Sequence, residues 1–215
     1  MIAAKLFKIP DYNPSELIEA LSNWKEETER EGRILLTTFE SLESSGDEVS
    51  GTLARDRLVR RRTRKGISLT VETQYTDFLT FKVENSFIMV FGGRKLAEFV
   101  ALKVTEALMR EGEFEHCALP EAVLESLSEG ARVTHFEDLR GLGIRKIAIY
   151  GRDIEDLDLY KEFKRLGRLS YIQFYSPELG GSVGLSKDFC IVAYGGVDRR
   201  SLVEYVRSLL TEIAC

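Results

Sequence analysis

Apolar positions along the chain recur at two periods, and the changes of period mark its elements. "AAKLFKI" near the start alternates as a strand does. "NPSELIEALSNWKEETEREG", residues 13–32, then predicts a helix. Asn13 is placed to cap it, Pro14 takes the first helical position, and Glu16 stands three residues after the cap. Leu17, Ile18, Leu21 and Trp24 form its apolar face, and Gly32 closes it. Extended runs follow at "RILLTTFESL", "EVSGTLARDRLV" and "ISLTVETQY", and "FLTFKV" with "FIMVF" reads as a hairpin around "ENS". From Gly93 the period becomes helical, with Leu96, Phe99, Val100, Val104 and Leu108 on one side.

A second section begins near residue 112. It predicts a helix at "LPEAVLESLSEG", a strand at "IRKIAIYG" and a helix at "DIEDLDLYKEFKRLG". Strands at "RLSYIQFYS" and "FCIVAYGG" and a helix at "DRRSLVEYVRSLLTEI" complete it. The two sections end alike: "SFIMVFGGRKLAEFVALKVTEAL" and "DFCIVAYGGVDRRSLVEYVRSLL" both run from an apolar strand through Gly-Gly into an apolar-periodic helix, which suggests an internal repeat. The expected fold class is α+β, with two related sections, residues 1–111 and 112–215, each an antiparallel sheet carrying packed helices, together forming one body.

The first section, a strand, a helix, a meander and a long closing helix, resembles a single repeat of the TATA-box-binding-protein-like fold. The likeness is greatest at "LTFKVENSFIMVFGGRKLAEFVALKVTEAL", with Gly93 and Lys95 at the comparable places. The resemblance implies a fold; no DNA-contact residue carries over, because the second section shows no recognisable DNA-facing strand sequence or intercalating phenylalanine pair of the family. The second section has fewer strands and places Val197 and Asp198 where the pattern has a basic residue. A helix-grip domain, with a ligand cavity between sheet and closing helix, gives nearly the same string of elements.

Composition narrows the class. With 215 residues and 44% hydrophobic content the chain can bury a sizeable core. No apolar run reaches the length of about 18 residues that a membrane helix needs, and the N-terminus does not read as a signal peptide, so a cytoplasmic protein without membrane contact is expected. Cys117, Cys190 and Cys215 form no CxxC pair and give neither a disulfide framework nor a zinc site. Abundant charge with few amides leans towards a heat-adapted source.

One stretch departs from the acidic balance. "RLVRRRTRKG", residues 57–66, holds six basic side chains in ten positions of a chain whose formal net charge is −5. Arg57, Arg61 and Lys65 fall on one strand parity and Arg60, Arg62 and Arg64 on the other, so neither face of this hairpin tip can be buried. The returning "ISLTVETQY" puts Ile67, Leu69, Val71 and Tyr75 on one face and offers no acid before Glu72. The tip is therefore expected to be an uncompensated positive arm. Such an arm neutralises phosphates with counterion release, and arginine forks grip phosphate bidentately.

The other candidates are weaker. Gly92-Gly93 and Gly195-Gly196 stand between strand and helix, where amides can hold an anion, but without the fuller glycine spacing the structural role prevails. "GGSVGLSK" lacks Gly-Lys and is not a nucleotide loop. Asp153, Glu155, Asp156 and Asp158 are explained by a helix start, with Asp153 as cap, and no metal or cofactor is called for. No catalytic motif is seen. The expected function is a non-enzymatic binding protein contacting DNA or RNA phosphates through Arg57, Arg60, Arg61, Arg62, Arg64 and Lys65, alone or as a homo-oligomer. Two alternatives stay open: a protein-interaction or scaffolding subunit docking on an acidic partner, and a helix-grip ligand-binding or catalytic domain.

Overall fold

A computed structural model describes residues 1–64, 66–109, 113–140 and 143–214. The fold is mixed α+β, built mainly on antiparallel strand pairing. The chain divides into two compact units, residues 7–115 and residues 1–6 with 116–215. The opening strand β1 (Ile2–Ile9) thus contributes residues to both.

In the unit of residues 7–115, helix α1 (Pro14–Asn23) begins as its residues dictate. The Asn13 side chain accepts the amides of Ser15 and Glu16, and Pro14 stands in the first turn. The helix does not run on to Gly32. It stops at Asn23, and the next residues form strand β2 (Lys25–Arg30). After Trp24 the segment has no apolar residue with which to continue a helical stripe. A charged strand is tolerated at a sheet edge, where it also discourages association. Glu31 and Gly32 then adopt φ of 52° and 71°, the paired left-handed geometry of a two-residue hairpin loop.

β3 (Arg33–Ser45), β4 (Glu48–Thr63), β5 (Gly66–Val83) and β6 (Asn85–Val90) continue the meander, in the order β2-β3-β4-β5-β6. The two runs expected on either side of Tyr75 are one strand, β5. α2 (Arg94–Ala107) closes the unit. Its Ala97, Val100, Ala101 and Val104 and the Leu17 and Leu21 of α1 share a core with Phe39, Leu53, Phe78 and Ile88. Each valine, leucine, isoleucine or phenylalanine among them contributes about 1.5–3 kcal/mol on burial. At Gly51, opposite Phe78 in the register, a Cβ would meet Phe78 Cζ at 2.9 Å, so the glycine makes room for the ring.

The core face of β5 is the parity of Thr76, Phe78 and Thr80. Ile67, Leu69, Val71 and Tyr75 lie on the other parity, turned from the helices, and Ile67 and Tyr75 are 72% and 63% exposed. Their alternation is real, but it describes a face the helices do not cover.

The other unit begins after a two-residue strand β7 (Glu115–His116) and comprises α3 (Glu121–Ser126), β8 (Val133–Glu137), β9 (Lys146–Tyr150), α4 (Asp158–Leu166), β10 (Arg168–Ser176), β11 (Gly181–Ser186), β12 (Cys190–Ala193) and α5 (Arg199–Ala214). β12, β11, β10, β8 and β9 pair antiparallel in that order, and residues 2–5 of β1 add to β12. β8 and β11 were not expected. The glycines of "GGSVGLSK" lie within or beside β11, where a Cβ on Gly181 would overlap the Tyr194 carbonyl oxygen and one on Gly184 the Tyr171 hydroxyl. Asp153 does not cap α4. It takes φ of 49° ahead of a short 3-10 turn, and the helix starts at Asp158.

The two Gly-Gly turns differ in conformation. Gly195 and Gly196 have φ of 81° and 85°, whereas Gly93 has an ordinary extended backbone with φ of −70°. Among the described residues no helix is long and apolar enough to cross a membrane, and no three acidic, histidine or cysteine side chains gather as a metal site.

Candidate nucleic-acid interface

The basic stretch forms the distal half of the β4–β5 hairpin. β3 pairs with β4 from Thr37↔Arg55 to Ser45↔Glu48, while the pairs from Asp56↔Thr73 to Thr63↔Gly66 belong to β4 and β5 alone. Past Arg55 β4 has no ladder partner on β3, and the hairpin runs on as a two-stranded arm. Asp56, the only acid within the arm's β4 segment, is spent where the strands part. Its carboxylate accepts the Leu36 amide at 3.1 Å, which β4 no longer satisfies, and the Thr73 hydroxyl at 2.7 Å.

Arg57, Arg60, Arg61, Arg62 and Arg64 are all exposed. Lys65 lies outside the described residues. The alternation of the strand puts Arg57 and Arg61 on the face continuous with the core and Arg60 and Arg62 on the opposite face. Compensation is greater than the sequence suggested. Arg61 pairs with Glu72, and Arg60 pairs with Glu31, which reaches it because residues 25–30 form a strand and bring the β2–β3 turn alongside the arm. Both pairs are exposed, so they hold the arginines loosely. Arg57 donates to the Gln74 amide oxygen at 3.1 Å, and no carboxylate among the described residues pairs with Arg57, Arg62 or Arg64.

At the base of the arm, where β3 leaves β4, a cavity of about 550 Å³ opens on the core-side face. Buried Leu35 and Thr37 form its floor, and Lys95, Leu96 and Phe99 at the start of α2 close one side. Arg30, Arg55 and Arg57 also line it, with Glu26, Asp56 and Gln74. The Arg55 guanidinium lies over the Phe99 ring, 3.9 Å from its centroid. Burial, and after it the charges of Arg57 and Arg30, holds Arg55 below the usual guanidinium range. Glu26 offsets them only in part, for its carboxylate accepts from Lys103 at 3.2 Å, and Lys103 also donates to Glu106 at 2.8 Å.

Sequence reasoning missed these residues. Arg30 fell in a segment expected to be helical, Lys95 was noted only in the fold resemblance, and Arg55 stands just before the charged stretch. Compared with known proteins, the chain matches no protein-family model and shows no significant similarity to a curated protein.

Proposed function

We propose that the chain is a cytoplasmic, non-enzymatic binding protein whose arginine arm contacts nucleic-acid phosphates. The observation that carries this reading is a two-stranded arm with exposed guanidiniums on both faces, among which Arg57, Arg62 and Arg64 have no carboxylate partner among the described residues. Arg55, Arg57 and Arg61 share one parity of β4, a row with Arg57 about 6.8 Å from Arg55 and Arg61 about twice that distance further on. A backbone of repeating phosphates is met by such a row without base readout, so affinity falls steeply with salt and varies little with sequence. The strand, helix, five-strand meander and closing helix of residues 2–107 support the TATA-box-binding-protein-like plan for this part of the fold.

Fluorescence anisotropy with labelled single- and double-stranded DNA and RNA across a salt series tests the reading. The parent is expected to bind with a steep salt slope. Arg60, Arg61, Arg62 and Arg64 changed together to Ala are expected to remove both affinity and slope. If the parent binds no nucleic acid at low salt, the reading fails.

A second reading rests on the outer face of the hairpins, where Ile34 is 70% and Ile67 72% exposed, the latter opposite Arg62. That mixture of apolar and basic side chains suits an acidic protein partner.

A further inference from the structure

The cavity at the base of the arm has a charge balance that folding alone leaves unresolved. Arg30, Arg55, Arg57 and Lys95 line it, and none of them is ion-paired among the described residues. Two acidic residues line it as well, and both carboxylates are already engaged: Glu26 by Lys103, and Asp56 by the Leu36 amide and the Thr73 hydroxyl. The core-side parity of two strands, with β3 between them, brings the arginines together: Arg30 on β2, and Arg55 with Arg57 on β4. Arg55 is half-buried and fixed against Phe99, so its fork is preorganised while much of its hydration is lost. Concentrated like charge that is partly dehydrated and unpaired costs stability, and an anion entering the cavity removes that cost.

We infer that this cavity binds a small phosphorylated ligand, its phosphoryl group taken by Arg55 and Arg57 with Arg30 and Lys95 around it. A phosphoryl dianion fits better than a carboxylate. It carries close to two negative charges at neutral pH and three strong acceptor oxygens, against one charge and two oxygens. The volume lies within the range of small-ligand sites, and half-buried Phe99 and Leu96 add an apolar wall for an organic group. Gln74, whose amide oxygen accepts from Arg57, also lines this space, and its amide nitrogen is a donor not used in that bond. This site meets the arm's row at Arg55 and Arg57 but is distinct from the tip: it needs Arg30 and Lys95, and none of Arg60, Arg61, Arg62 and Arg64 lines it.

Isothermal titration with pyrophosphate, inorganic phosphate and a sugar phosphate, with acetate as the control anion, tests this at low ionic strength. Saturable binding of pyrophosphate at one site per chain is expected, with no heat from acetate. R55M is expected to weaken pyrophosphate roughly tenfold or more, the size of a lost charge-assisted hydrogen bond. K95Q, at an exposed position that cannot disturb the core, is expected to weaken it several-fold and serves if R55M does not fold. The quadruple change of Arg60, Arg61, Arg62 and Arg64 to Ala is expected to leave pyrophosphate binding within about twofold, because none of the four lines the cavity. Absence of saturable pyrophosphate binding by the parent, or binding that survives both R55M and K95Q, overturns the proposal. Equal loss in the quadruple variant overturns it too, assigning the phosphate to the tip. Nucleic-acid affinity in the same variants is a separate readout, so either reading can fail while the other stands.

Discussion

The guanidinium of Arg55 stacks on the ring of Phe99, 3.9 Å from its centroid, and so ties the point where β3 leaves β4 to the first turns of α2. The contact joins elements more than forty residues apart in sequence and fixes the orientation of the cavity's central cation. Phe99→Leu keeps apolar bulk and removes the π face. It is expected to cost about 0.5–1 kcal/mol by chemical denaturation, and to weaken pyrophosphate several-fold as Arg55 loses its fixed orientation.

The two exposed ion pairs of the arm make an opposite pair of predictions. Glu31→Gln and Glu72→Gln release Arg60 and Arg61. Each is expected to change stability by no more than about 1 kcal/mol. Together they are expected to raise nucleic-acid affinity and steepen its salt slope, measured by anisotropy between low and moderate salt. A structural arm that met no phosphate would show the first effect without the second.

Lys103 sits nearly buried between Glu26 and Glu106. Burial pulls its pKa down, but the hydrogen bonds it donates to Glu106 and Glu26, with their charges, outweigh it and leave the ammonium above its ordinary value of 10.5. A folded-state pKa raised above the unfolded one stabilises fully at lower pH. That contribution is lost as pH climbs through the raised value. The parent is therefore expected to lose stability in alkaline denaturation series above about pH 10.5, and Lys103→Met to flatten that loss. Lys103→Met also frees the Glu26 carboxylate beside Arg55, and weaker pyrophosphate binding is expected from it.

Gly181 in β11 has the Tyr194 carbonyl oxygen where a side chain would begin, and Val197 Cγ2 2.7 Å from the same position. Gly181→Ala is expected to cost about 1–3 kcal/mol in thermal or urea unfolding, because backbone cannot yield as a flexible side chain can. Cavity and arm binding at low temperature should be unchanged, since this residue belongs to the other unit.

Some of this architecture could be read from the residues and some could not. Asn13 and Pro14 announce α1 because a cap acts through its immediate neighbours. The arm is visible because six basic residues in ten on both parities cannot be buried, whichever way the strand turns. Lys25–Arg30 misled because a wholly polar segment carries no periodicity, and what decides its conformation is an exposed edge beside β3, which lies outside the segment. The same error hid Glu31 from Arg60 and Arg30 from the cavity. Ile67 and Tyr75 misled differently: alternation tells that two faces differ, but not which face the helices cover. Arg55, Arg30, Lys95 and Phe99 come from four segments, and only the register Thr37↔Arg55 and the packing of α2 bring them together.

The first strand sets a schedule for the whole chain. Residues 2–5 pair with Cys190–Ala193 of β12, nearly the full length of the polypeptide away. On a ribosome moving at about 5–20 residues per second, the unit of residues 7–115 emerges and can fold while the first residues still wait for their partner. The unit that receives them closes last, after β12 has been made. A fragment starting at residue 116 would be born with that place in its sheet vacant and a β12 edge open to another chain.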